Sequence, residues 1–347
     1  MPANPIAAAD HFDLAAVERS LARLWQEEDG EVRRRDAVHA CSLNLVVPIA
    51  PGTYDNWQEA VADFSQLLPS RILVVEVRND TGGPPVEAQV SATCHRRKGG
   101  LLVCSEVVRL LPRADSTHLI PSICRSLAVS DLPLCLLTVE DAGLGEKTDQ
   151  ALIDLAQIIA TDSCSSRQPG FAAAAFGKAT DLAWPRLSPW RAVLGNFLWT
   201  CSKFDAGALS KVAVRGDRAA ARLFVGWLAQ LLGWQVLSTA SGPVAFVQDS
   251  DHRIDLQLLP GSDNVCGLTR VTLGLAGDDR VEIAPEAKTW FKVSASLGGH
   301  AIETGAACRS LSFAEEVAAL VHSHGMDRLY DQAANRAATL LGPWPGR

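Results

Sequence analysis

Apolar side chains recur at Leu14, Val17, Leu21 and Leu24 with charged residues on the intervening faces. That spacing predicts a leading amphipathic helix within residues 10–35. The pattern then changes. CSLNLVVPI (41–49) is a short apolar run with β-branched residues, followed by Tyr54, Trp57, Val61, Phe64 and Leu68 at helical spacing. A strand leading into a helix is the expected reading. RILVVEVRN (71–79) predicts a second strand, ended by the turn residues TGGPP. VEAQVSATC (86–94) and LLVCSEVVRLL (101–111) flank RRKGG and predict a hairpin. Ser116 is placed as the cap of a helix reaching Leu127, and LPLCLLTVE (132–140) reads as a fifth strand. The order β-α-β-β-β implies a mixed sheet whose first two strands are parallel.

Past the loop DAGLGEKTD (141–149), the periodicity predicts a helix from Thr148 or Asp149 through Ala160 and another at about 189–202. A strand at KVAVR (211–215) and a helix at 217–233 follow. Seven further strand candidates come next: QVLSTA, PVAFV, HRIDLQLLP, CGLTRVTLGLA, RVEIA, TWFKVSASL and HAIETGAAC. A final helix runs from Ser312 to about Leu341. The expected fold class is α/β (α+β) with two domains. Residues 1–36 form the leading helix and 37–145 an N-terminal mixed-sheet sandwich. Residues 146–347 are helices packed on a mostly antiparallel sheet.

Composition supports this organisation. A chain of 347 residues exceeds what one core usually serves, and 48% apolar with 20% charged residues is ordinary globular usage. No apolar run is long enough to cross a bilayer, and the first residues lack a basic, then apolar, leader, so no membrane and a cytoplasmic location are expected. Nine cysteines without CxxC pairs read as reduced, buried thiols. The net charge of −7 disfavours nucleic acid as a partner, since phosphate binding depends on basic residues. Residues 1–160 hold 14 Lys+Arg against 22 Asp+Glu, so the acidity lies in the first half.

Reaction chemistry is sparse. GFAAAAFGKAT and GLGEKT lack the spacing of phosphate or dinucleotide loops. His322 and His324 lie two apart on a helix and diverge, as do Cys94 and His95 on a strand. No GxSxG elbow is present. The expectation is therefore no enzyme, no cofactor and no metal. Two arrangements stand out. If RRKGG closes its hairpin with a three-residue loop, Cys94 and Cys104 fall opposite each other, either as two thiols or as a redox pair. Arg96, Arg97 and Lys98 on that turn either face solvent or grip the phosphate of a sugar phosphate, the alternative being a ligand-binding protein or enzyme of carbohydrate metabolism.

DLAWPRLSPWR (181–191) concentrates Trp and Arg between prolines. Ser188 and Pro189 read as a helix start, with Trp190, Leu194, Phe197 and Cys201 on its buried face. Trp184 and Arg186 sit in the segment before that helix, and Arg191 begins its next face. Trp184, Arg186, Trp190 and Arg191 are the partner-binding candidates, because Trp and Arg dominate interface hot spots. The competing reading makes Trp184 a plug and pairs the arginines with Asp181 or Asp205. Trp227 and Trp234 of GWLAQLLGW read as core.

The blocks CSLNLVV, LPSRILVVEV, VSATC, VCSEV, LIPSICRSLAVSDLPL, DLAWPRLSPWR and GWLAQLLGW, in this order over about residues 41–234, resemble the OpcA family of glucose-6-phosphate dehydrogenase assembly proteins. The resemblance implies two domains, a cytoplasmic address and a noncatalytic protein that binds and activates glucose-6-phosphate dehydrogenase. The chain departs from the family at Leu136, Leu137 and Thr138, where family members commonly carry tryptophans. No block is matched after about 235. Thiol control known in the family is not mapped onto these cysteines.

Overall fold

The five strands read in residues 41–140 belong to a nine-stranded mixed sheet, which four unforeseen strands complete, in a computed structural model that describes residues 4–6, 12–24, 37–39, 41–96, 102–164, 179–238, 245–248, 252–261, 265–287, 289–323 and 327–342. Its strands are β1 (Asn4–Ile6), β2 (Ala37–His39), β3 (Leu43–Ile49), β4 (Ser70–Glu76), β5 (Val86–Arg96), β6 (Leu102–Pro112), β7 (Leu134–Thr138), β8 (Ile158–Thr161) and β9 (Ala179–Asp181). They lie in the order β1-β5-β6-β4-β3-β7-β8-β9, with β2 also on β6. The run β6-β4-β3-β7-β8 is parallel, and β5 is antiparallel to β6.

All seven residues of β3 are buried, as a parallel strand covered on both faces requires. On one face Val46, Leu73 and Val75 pack with Val17 and Leu21 of α1 (Leu14–Leu24) and with Ile120 and Ile123. Those two isoleucines belong to a helix at Ile120–Leu127, α3. Between α1 and α3 in the chain, α2 (Tyr54–Leu67) lies against β4, β5 and β6. Its buried Trp57 and Phe64 meet the ring of Phe313 at 5.9 and 5.7 Å. Phe313 opens a helix at Phe313–Ser323, which groups largely with this first unit although it is far along the chain.

Two expectations change. Ser116 does not cap a long helix; it sits in a 3-10 turn, Ala114–Leu119, that leads into α3. The helix expected through Ala160 is α4 (Glu146–Leu155), which ends where Ala156 turns extended. Ile158, Ile159 and Thr161 then pair with β7 as β8. Their β-branched side chains suit a strand, and the sheet neighbour decides the matter. The first unit accordingly runs to Thr180, and the second begins at Asp181, not at 146.

In the β5–β6 hairpin Cys94 is level with Cys104, and the two form a disulfide, so the reduced-thiol expectation is corrected at this pair. Arg97 and Lys98, with the side chain of Arg96, lie outside the described residues, as do most of GFAAAAFGKAT and His324. Cys124 and Cys135 keep the inert character expected of them, burial pushing both thiols up to about 12. Closing so short a loop contributes about 2–3 kcal/mol in the chain-entropy account. Reduction is expected to lower the urea midpoint of the protein, and nonreducing peptide mapping to recover a 94–104 crosslink. Mapping that finds only the two thiols after mild oxidation would remove the bond.

The second unit comprises Asp181–Ser312 and Ser323–Pro345. Its helices are α5 (Ala183–Arg186), α6 (Ser188–Thr200) and α7 (Arg218–Leu231). The helix at Phe313–Ser323 is α8, and α9 (Arg328–Leu341) returns to the second unit. The eight-stranded sheet contains β10 (Leu209–Gly216), β11 (Gln235–Ser238), β12 (Ala245–Gln248), β13 (His252–Pro260), β14 (Leu268–Leu275), β15 (Arg280–Ala287), β16 (Trp290–Leu297) and β17 (His300–Ala307). Its order is β11-β12-β13-β10-β14-β15-β16-β17, antiparallel except between β10 and β13. All seven sequence-predicted strands are present. Inward residues such as Val212, Val271, Leu273, Ile283 and Val293 share one core with Leu194, Phe224 and Leu228 of the helices.

The last helix is not single. Asp327 starts α9, its Oδ1 accepting the Tyr330 amide at 3.0 Å, so a new helix is capped after α8 has ended. Asp217 caps α7 in the same way through the Ala220 amide, 2.9 Å away. Helices α7 and α9 cross in close contact. A Cβ on Gly226 would fall 2.0 Å from the Ala333 carbonyl oxygen. The Arg222 guanidinium donates to the carbonyls of Leu341 and Gly342, closing the C-terminus of α9. Among the described residues no helix is long and apolar enough to cross a membrane.

Candidate functional site

DLAWPRLSPWR is helical almost throughout. Leu187 keeps helical dihedrals between α5 and α6, and Ser188 lies inside α6 with no side-chain cap bond, so the expected serine cap is corrected. Pro189 does occupy the first turn, where its missing amide removes no hydrogen bond. The Asp181 carboxylate accepts the Ala183 amide at 2.8 Å, and the Asp181 amide donates to the Tyr330 hydroxyl at 3.2 Å. The start of the motif is thereby fastened to the start of α9.

Trp184 is 3% exposed and belongs to the core of the second unit. Its indole N–H donates to Oδ2 of Asp327 at 2.6 Å, and its ring meets Tyr330 edge-on at 5.7 Å. The Arg191 guanidinium stacks 3.5 Å above the same ring and donates to the Trp184 carbonyl at 3.0 Å. Burial pulls Arg191 down to about 10, and the nearby Asp327 charge opposes that shift. Burial, then Asp181, push the Tyr330 hydroxyl well above its ordinary value. One carboxylate, Asp327, thus caps a helix with one oxygen and holds Trp184 with the other. Trp190 is 5% exposed and packs against Phe291 at 4.8 Å. Arg186 is half-buried. The structure therefore brings Trp184 and Arg191 together and directs both tryptophans inward. Asp327, rather than Asp181 or Asp205, is the acid facing Arg191.

Sequence reasoning passed over Trp199. It lies near the end of α6 and is 90% exposed, with Ser188, Ala192 and Asn196 exposed along the same helix. Nine residues separate it from Trp190, which at 100° per residue places the two on opposite sides of the helix. If Trp190 is core, Trp199 faces water.

In the first unit, ligands of open α/β sheets bind at the carboxyl ends of parallel strands, where the chain order switches direction. Here β3 connects to β4 on one side and borders β7 on the other. The turn between β3 and α2 is occupied by the chain's own carboxylates. Glu140 accepts the Ala50 amide at 2.9 Å, the Thr53 hydroxyl at 3.3 Å and the Trp57 indole N–H at 3.0 Å. Glu76, 3% exposed, accepts the Gly52 amide at 2.7 Å and Nε of Arg109 at 2.9 Å. Arg109 in turn lies 4.1 Å from the Tyr54 ring centroid. Burial raises the Tyr54 hydroxyl, and Arg109 opposes that shift. The donors that would cradle a phosphate at this position are committed to Glu76 and Glu140. The sequence marked Tyr54 and Trp57 only as a helix face, and nothing local singled out the two acids. Among the described residues no group of His, Cys, Asp and Glu is arranged to hold a metal ion.

Among solved structures, KijD10, a 3-ketoreductase from Actinomadura kijaniata, aligns at 10% identity with TM-score 0.48, covering 88% of this chain and 97% of that one. The oxidoreductase yvaA of Bacillus subtilis aligns at 10% identity with TM-score 0.44, covering 88% and 96%. Neither likeness bears on what this chain does. In sequence, the chain is 26% identical over 166 residues to the OxPP cycle protein OpcA of Nostoc punctiforme, covering 44% of this chain and 36% of that protein. It is 25% identical over 204 residues to OpcA of a Synechocystis strain, covering 50% and 39%. These matches span under two fifths of the relatives' own length. The glucose-6-phosphate dehydrogenase subunit N-terminal domain matches residues 61–177 and its C-terminal domain residues 177–334, past the point where recognisable blocks end. With those two domains spanning most of its length, the chain belongs to the OpcA family of glucose-6-phosphate dehydrogenase assembly proteins.

Proposed function

We propose that this chain is a noncatalytic partner of glucose-6-phosphate dehydrogenase in the oxidative pentose phosphate pathway, acting in the cytoplasm by binding the dehydrogenase and favouring its active form. Family membership supports the partner and the pathway. The filled cleft at Glu76 and Glu140 supports a noncatalytic role, because the backbone donors best placed for a substrate phosphate are already bonded. The observation that carries the docking reading is Trp199, a large aromatic side chain left 90% exposed at the end of the motif helix. Trp184, Trp190 and Arg191 fix the start of α6 on the core, and the half-buried Arg186 precedes that helix in α5. Activation follows if the active dehydrogenase binds more tightly than the inactive one, and a tenfold gain in substrate affinity corresponds to about 1.4 kcal/mol of coupling.

Trp199→Ala is expected to leave the fold intact and to weaken binding to the host's glucose-6-phosphate dehydrogenase by about 2 kcal/mol or more, roughly 30-fold. Titration calorimetry, paired with dehydrogenase activity at subsaturating substrate, measures both effects. Unchanged affinity in the folded variant would dismiss Trp199 as the anchor. The absence of any complex with the wild-type chain would dismiss the function itself.

A further inference from the structure

We propose that the outward face of the eight-stranded sheet is a self-association surface whose occupant is a second copy of this chain. Residues of β10, β14, β15 and β16 alternate between buried and more exposed positions. The buried set faces the helices, and among the described residues no helix shares a core with the other set.

The strand registers arrange that outward set in rows crossing the sheet. One row runs Ala213, Thr272, Glu282, Ser294 and Glu303, and its only charges are acidic. The next row, two residues along each strand, runs Arg215, Arg270, Ala284, Lys292 and Gly305, and its only charges are basic. The rows lie roughly 6.7 Å apart. Within the chain they touch diagonally, Lys292 to Glu303 at 2.9 Å and Arg270 to Glu282 at 3.5 Å. These are exposed pairs that stabilise the monomer little.

A two-fold axis lying in the interface, parallel to the rows and midway between them, sets each copy's acidic row over the other's basic row. Glu282 then faces Ala284 of the second copy, between the cations of Arg270 and Lys292. The small side chains in both rows permit the roughly 10 Å separation of packed sheets. Trp290, 41% exposed, sets its ring over Gly305, ring atoms standing where a Cβ would be, and so covers that end of the basic row. Five strands of about eight residues make a face on the order of 630 Å². That lies at the lower end of the roughly 600–1,000 Å² per partner of a stable interface.

Sedimentation velocity on the full chain tests this without the dehydrogenase. The wild type is expected to sediment as a dimer. Two double variants reverse one row each: Glu282→Arg with Glu303→Arg makes both rows basic, and Arg270→Glu with Lys292→Glu makes both acidic. Each alone is expected to dimerise at least 30-fold more weakly, and an equimolar mixture to recover a dimer containing one chain of each kind. That recovery also shows that both variants are folded. A wild type that stays monomeric at about 100 μM overturns the proposal. So do variants that dimerise like wild type, or folded variants whose mixture stays monomeric. Protection of β15 and β16 from hydrogen exchange only in the dehydrogenase complex would assign the face to that protein instead and also overturn it.

Discussion

Gly226→Ala is expected to destabilise the second unit by about 3 kcal/mol or more, read as a lower urea midpoint. In a free helix the same change would help, since alanine exceeds glycine in helix propensity by about 1 kcal/mol. Here the added methyl meets backbone on the facing helix, 2.0 Å from the Ala333 oxygen and 2.8 Å from the Ala337 nitrogen. No rotamer change relieves a contact with backbone, so α7 and α9 must separate, with loss of the packing and the Arg222 bonds that hold their ends. An alanine variant as stable as wild type would show that the two helices do not cross at Gly226.

Trp184→Ala is expected to lower stability by about 3–5 kcal/mol, the range for a large aromatic side chain removed from a core. It opens the space between Arg191 and Tyr330 and takes the indole donor from Asp327. Trp184→Phe separates the contributions. It retains most of the ring, loses the 2.6 Å hydrogen bond, and is expected to lose only about 1–2 kcal/mol. A residue that contacts the partner directly would behave differently, keeping the melting curve and losing affinity. A Trp184→Ala protein with an unchanged unfolding midpoint would return Trp184 to the interface.

The second sheet and the five central strands of the first were legible because those strands follow a strong rule. Fully buried parallel strands such as β3 are continuous apolar runs, and the half-exposed strands of the second unit alternate. The Cys94–Cys104 register followed from hairpin symmetry alone. Where local pattern and tertiary context compete, the sequence misleads. Residues 158–161 continue an apolar helical pattern, yet they become a strand because β7 offers an open edge. The burial of Trp184 depends on Asp327 and Tyr330, about 143 residues away, and no spacing rule reaches that far. Glu76 and Glu140 are likewise strand-end acids until the fold brings the Ala50–Thr53 turn between them. Trp199, by contrast, was available from the sequence, since the orientation of Trp190 determines its own.

The placement of α8 with the first unit bears on how the protein is made. The first unit takes α8 from beyond Ser312, and the second takes α9 from beyond Ser323. While the nascent chain is shorter than this, each unit exposes a surface that its own final helix will cover, Trp57 and Phe64 in one and Gly226 in the other. Neither half can finish folding as it leaves the ribosome, although domains commonly do so in order of synthesis. Completion of both therefore waits until α8 and α9 have been translated.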